Sequence, residues 1–227
     1  LGSVIYPRVS ALAATGQREP LRLLYLDVTR WLTYLNLAVL GIIALTGEEF
    51  LRRWVGPEFV AEGYPVLLLV TLGLLLDSLT NIPSLVNDGL GHPRLSGSFA
   101  LARGVVGVPL VYAGTTLGGI VGAATAHLCA SAIMGAMFLV YVHGRSVPAS
   151  LKDTWRTAWM PAFAVGLAAL LLALPLRWLL PAGVAGLLAL TSAAMLVLCA
   201  FAMTLLVNDS ERAALRSVAR RWLPGGF

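Results

Sequence analysis

Charge is what this sequence has least of. Its 227 residues include 16 Lys+Arg and 11 Asp+Glu, so only 12% are charged, about half the share found in an ordinary soluble domain. A water-soluble chain of this size needs a charged shell to stay dispersed, and so few ionisable groups cannot supply one. Cysteine is almost missing. Cys129 and Cys199 both lie inside apolar runs, where a thiol serves as a small hydrophobe, and neither a disulfide nor a metal site is suggested. The sequence contains no paired-carboxylate motif, no His/Cys set at metal-ligand spacing and no G-x-S-x-G elbow, so an enzyme is not expected. What is abundant is hydrocarbon, with 58% of residues hydrophobic. That excess excludes disordered and collagen-like chains and leaves an integral membrane protein.

A helix needs about 20 apolar residues to cross the hydrocarbon core. Six full segments of that kind are expected, at 31–47, 64–83, 98–113, 117–142, 159–176 and 183–207. They must be helical, because lipid cannot satisfy exposed backbone groups. The short alternating segments of an outer-membrane barrel are not seen. Residues 1–14 are apolar but too short to span, with no charged leader or small-residue cleavage site. They read as the end of a truncated helix, which makes the chain the C-terminal part of a longer protein. The expected architecture is an all-α polytopic bundle over 1–207, followed by a basic amphipathic tail over 208–227. In that tail Arg212, Arg216 and Arg220 recur at i, i+4, i+8 beside Leu215, Val218 and Trp222, a pattern suited to an anionic leaflet.

Basic residues set the orientation. Of the 16, all but Arg52, Arg53 and Arg177 fall on the side that holds the C-terminus, and that side is expected to be cytoplasmic. The net charge of +5 is therefore a topology signal, and nucleic-acid binding is not expected, since that calls for a clustered basic face. The six tryptophans lie at or just outside segment ends, as interface anchors do. His92 and His143 read as solvated loop residues. Two rows of small residues, Gly118–Gly122–Ala126–Ala130 and Gly119–Ala123–His127–Ser131–Gly135, allow close helix packing in lipid. Gly104, Gly107 and Pro109 predict a kink or break in the 98–113 segment.

Polar groups inside the apolar runs are the candidate functional residues. Asp77 is the acidic residue deep in a span, where a charge costs at least about 2.5 kcal/mol, and Asn81 follows one turn later on the same face. Together they suit a proton- or cation-responsive site or a grip on a polar headgroup; a plain interhelical hydrogen bond is the alternative. Arg103 either snorkels to the surface or offers a bidentate donor for a phosphate. Arg30, with Thr33 and Tyr34 on its face, presents the same choice. His127 and Asn36 read as interhelical hydrogen-bonding groups unless they line a lumen.

Several elements together resemble a known group. Pro7-Arg8-Val9-Ser10-Ala11-Leu12 followed by Gly16 resembles a P-x-x-S-x-L…G stretch, and Phe50–Phe59 (FLRRWVGPEF) resembles a W-x-G-x-x-F element. A long helix ending in Ile82-Pro83, the small-residue turn Asn87–His92 and a G-I-x-G-A-A signature at Gly119–Ala124 complete the order. These are similar to features of Wzx-type oligosaccharide flippases, within the multidrug/oligosaccharidyl-lipid/polysaccharide exporter superfamily. The resemblance covers about residues 1–130, and the last two helices match in hydropathy only.

That resemblance implies two six-helix bundles around a cavity, with this chain supplying the second bundle plus an extra helix pair and the first bundle as its partner. It implies alternating access that carries an undecaprenyl-diphosphate-linked oligosaccharide across the bacterial inner membrane for surface polysaccharide. No cofactor is implied beyond a coupling ion, H+ or Na+. Arg103 and Arg30 would attract pyrophosphate, while Asp77 and Asn81 contact sugar or the coupling cation. The alternatives are a multidrug or lipid exporter of the same superfamily and a membrane-embedded polysaccharide polymerase or ligase. The last would need a large external loop bearing Arg and His, and the longest external loop, 48–63, has no histidine.

Overall fold

In hydrocarbon, a backbone amide finds its partner most readily within its own helix. The computed structural model, which describes residues 2–179 and 183–207, follows that rule, and no strand occurs among the described residues. Helix α1 (Gly2–Ala14) leads into the long α2 (Arg18–Trp54), then a 3-10 turn at Pro57–Phe59, α3 (Val60–Ser78) and α4 (Asn81–Gly89). The chain continues through α5 (Pro93–His143) and α6 (Leu151–Thr154), which runs by a π-turn at Trp155–Trp159 into α7 (Met160–Ala173). It closes with α8 (Leu176–Leu179) and α9 (Val184–Phe201), which ends in a second π-turn at Ala202–Leu206. Five stretches are long and apolar enough to cross a membrane. Their outer faces carry large exposed hydrophobics such as Val108, Leu171 and Leu196, a surface suited to lipid and not to water. The chain is thus an all-α membrane protein. The tail at 208–227, with Trp222, lies outside the described residues.

Helix α5 is 51 residues long, which would extend about 75 Å if straight. It is not straight. Gly118 (φ −143°, ψ 23°) and Gly119 (φ 58°, ψ −144°) leave the helical region, and the chain folds back so that Gly114 lies against Gly122. Phe99 meets Phe138 across the two arms, 5.3 Å between ring centroids. The two runs read from sequence at 98–113 and 117–142 are the arms of this hairpin, 93–117 and 120–143. The break predicted at Gly104–Pro109 is not there, because the backbone stays helical through Pro109 and reverses at the next glycine pair. Losing one hydrogen bond at Pro109 is tolerable in a membrane helix, whereas the positive φ of Gly119 needs glycine. Gly118 and Gly119 therefore belong to the turn, not to the packing rows.

A second break separates α3 from α4. Pro83 has no N–H to offer the carbonyl four residues upstream, at Leu79, and its ring crowds that turn. The helix ends at Ser78 and restarts at Asn81. Thr80 closes the gap, its Oγ1 donating to the Asp77 carbonyl at 2.7 Å. The same chemistry operates at Pro161, just past the π-turn of Trp155–Trp159, where widening accommodates the lost bond.

Helix α2 is the spine of the bundle. Its first half packs with α1, α4 and the end of α5 around Val9, Tyr25, Val86 and Val142. Its second half packs with α7 and α9 around Tyr34, Ala38, Ala162, Ala169 and Ala194, and the Tyr34 hydroxyl donates to the Leu198 carbonyl. Small residues at this seam let backbones approach; a Cβ on Gly166 would lie 2.4 Å from Leu37 Cδ2. Charges sort to the two ends. Arg52, Arg53 and Arg177 gather with Glu48 and Glu49, whereas Arg22 pairs with Asp153 beside the α1–α4 end.

Two residues differ from their sequence reading. His143 is half-buried, its Nε2 2.8 Å from Tyr25 Oη and its Nδ1 2.7 Å from the Leu139 carbonyl, with the Trp159 ring beside it. Trp159 is buried against His143 and Trp155, whereas Trp54 and Trp178 are exposed.

Asn87 is fully buried and stitches the α4–α5 corner together. Its Nδ2 donates to the His92 carbonyl at 2.8 Å and to Ser96 Oγ at 3.0 Å, and its Oδ1 accepts from Ser146 Oγ at 2.7 Å. Asn87→Leu is expected to cost about 2 kcal/mol of stability, since several buried polar groups lose partners together. Thermal unfolding in detergent, with Ser146→Ala as the milder comparison, measures it.

Candidate functional site

Three helical segments converge on one guanidinium. Asp77 lies in the last turn of α3, Arg103 in the first arm of α5 and Ser131 in the second. Arg103 Nη2 donates to Asp77 Oδ2 and, at 3.1 Å, to Ser131 Oγ. Ser131 is 1% exposed, while the Asp77 and Arg103 side chains retain 19% and 35% exposure. Mutual neutralisation lowers the cost of holding each charge among apolar segments. The pair is not saturated. Asp77 Oδ1 is buried without a hydrogen-bond partner among the described residues, and Arg103 bonds there only through Nη2, leaving Nε and Nη1 as donors.

The space around the pair explains why the guanidinium retains exposure. One cavity of about 250 Å³ is lined by Thr80, Ser84, Ser96, Phe99 and Arg103. Another of about 460 Å³ is lined by Arg103, Gly104, Gly107, Val111 and His127. Arg103 borders both. The small-residue row shapes this region, for a Cβ on Gly135 would lie 3.6 Å from Thr80 Cγ2. His127 nests on α3, where a Cβ at Gly73 would come within 2.9 Å of its ring.

The structure therefore brings Asp77 and Arg103 into contact and puts His127 on the wall of the larger cavity. Arg30 is buried on α2, with Asp27 Oδ1 at 3.3 Å, and lines neither cavity. Asn81 is exposed at the start of α4, and Asn36 is half-buried on α2; neither reaches these cavities. Ser131, Thr80, Ser84 and Ser96 join the site without having been singled out. Ser131 had been counted only as a small packing residue, and the others sit at helix ends whose facing depends on the two breaks.

No family model, no curated protein and no solved structure matches this sequence.

Proposed function

We propose that this chain belongs to a Wzx-type flippase of the bacterial inner membrane, with its C-terminus cytoplasmic, and that it acts with a second bundle to move a diphosphate-linked lipid oligosaccharide. The observation that carries the reading is a guanidinium held between two cavities on broken helices. A phosphorylated headgroup crossing hydrocarbon needs donors to replace its water, and Arg103 retains unused ones. In the resting pair Asp77 is the counterion; an incoming phosphate competes for Nη2 and displaces it. Asp77 then faces the sugar or takes the coupling cation. Arg30, paired at Asp27 on another helix, is not part of this exchange.

A second reading has its own observation. The unpartnered Asp77 Oδ1 suits a cationic amphiphile, as in a multidrug exporter.

Complementation of a flippase-null strain tests both. At matched membrane levels, Arg103→Lys is expected to lower surface polysaccharide about tenfold, because a point charge replaces the bidentate fork. Normal polysaccharide from both Arg103→Lys and Arg103→Ala would remove the flippase reading. Protection against cationic drugs that is lost in Asp77→Asn would establish the second.

A further inference from the structure

The α4–α5 corner and the end of α5 border another, open cavity, about 600 Å³ in volume, that does not include Arg103. It is lined by His92, Arg94, Ser98, Tyr141, Arg145 and Ser146, among others. Arg94 comes from the first turn of α5 and Arg145 from just past its last, so the hairpin brings together two cations far apart in sequence. Six of the eleven described arginines have a carboxylate within ion-pair distance: Arg22 has Asp153, Arg30 has Asp27, Arg52 and Arg177 have Glu48, Arg53 has Glu49 and Arg103 has Asp77. Arg94 and Arg145 have none among the described residues. The carboxylate that the corner network reaches, Asp88, accepts instead from Asn87 Nδ2 at 3.4 Å.

Arg145 is also held in place. Its guanidinium carbon lies 4.5 Å from the Tyr141 ring centroid, Tyr141 leans on Phe99 at 5.7 Å, and Phe99 packs on Phe138. Stacking restricts the side chain before any ligand arrives and leaves the edge of the guanidinium free to donate. The two serine hydroxyls are already committed, Ser98 Oγ to the Leu95 carbonyl and Ser146 Oγ to Asn87 Oδ1. The charged donors of this cavity are the guanidinium groups of Arg94 and Arg145. Two like charges on one cavity repel unless an anion lies between them, and planar guanidinium forks match phosphate oxygens in pairs.

We propose that this cavity binds a phosphate group, carried by an anionic lipid headgroup at the end of the bundle or by free phosphate. The proposal does not rest on transport by the Arg103 site. It is tested on the whole protein in a neutral detergent, titrated with phosphatidylglycerol or phosphatidylcholine and read by native mass spectrometry, with inorganic phosphate as competitor and as a thermal-shift ligand. Phosphatidylglycerol is expected to bind in preference to phosphatidylcholine. Arg94→Ala/Arg145→Ala is expected to weaken it about tenfold or more, with Arg145→Lys intermediate and Arg52→Ala, at the other end, unchanged. Binding that inorganic phosphate cannot displace identifies the lipid as the source. A phosphate-dependent rise in Tm that vanishes in the double variant identifies the free anion. Equal lipid binding by the parent and the double variant, with no phosphate effect on either, would overturn the proposal. Both arginines are exposed, and Arg145→Lys retains the charge if the double variant elutes as aggregate.

Discussion

The double variant Asp77→Ala/Arg103→Ala is expected to fold nearly as well as the parent protein and to transport nothing. Each single variant should be the less stable protein. Truncating Asp77 leaves the Arg103 guanidinium without its counterion between α3 and the two arms of α5. Truncating Arg103 strands a carboxylate whose Oδ1 already lacks a partner among the described residues. Breaking a buried pair costs about 3–5 kcal/mol. With Arg103 35% exposed, water in the flanking cavities reduces that, and about 2–3 kcal/mol is the expectation. Removing both charges removes the need for either, which can be close to neutral. A double-mutant cycle on unfolding in detergent, run alongside transport by the same four proteins, separates the two roles. A purely structural pair would recover activity along with stability in the double variant. Strictly additive losses of stability would instead show that the two residues do not act on one another in the folded protein.

How far the sequence revealed this arrangement depended on the range of the signal. Helices were legible because a scarcity of charge and long apolar runs admit little else in lipid. Asp77 and Arg103 stood out because an ionised side chain within such a run is costly. Their contact was not legible. It depends on where helices break, and both breaks fell away from the obvious residues. Pro83 interrupts the hydrogen-bond ladder upstream, so α3 ends at Ser78 and Asn81 starts a new helix. Pro109 is absorbed, and the reversal comes instead at Gly118–Gly119, which looked like packing residues. The register of that hairpin decides that Ser131 meets Arg103 and that Arg145 shares a cavity with Arg94. Hydropathy carries no information about such a register, because every segment is apolar on most of its circumference. The burial of His143 is hidden for a related reason, since the ring partners that bury it, Tyr25 and Trp159, come from helical segments elsewhere in the chain.

Gly122→Ala is expected to be the most damaging single methyl in the protein. A Cβ there would lie 2.0 Å from the Gly114 carbonyl oxygen, and a Cβ on Gly114 would lie 2.4 Å from that of Gly122. Both obstacles are backbone, so no side-chain rotation relieves them and the arms of α5 must part. Overpacking of this kind costs about 1–3 kcal/mol where neighbours can yield, and the upper end or beyond applies to a rigid carbonyl. Parting the arms also draws Ser131 away from Arg103, so activity should fall with stability. The turn itself supplies the controls. Gly119→Ala meets no atom within 4 Å but must hold φ at +58°, and with ψ at −144° it carries about 1–3 kcal/mol of backbone strain. Gly118 also has open space around it, and its φ of −143° is one any residue adopts, so Gly118→Ala should stay within about 0.5 kcal/mol of the parent. The expected order of unfolding temperatures is therefore Gly118→Ala highest, Gly119→Ala lower and Gly122→Ala lowest. A cysteine pair placed at Gly107 and Ala130, which line one cavity from opposite arms, should be bridged by a short bifunctional thiol reagent in the parent and in Gly118→Ala, and more slowly in Gly122→Ala. If Gly122→Ala matched Gly118→Ala in both measurements, the two arms would not be packed as a hairpin, and the site built across them would fall with it.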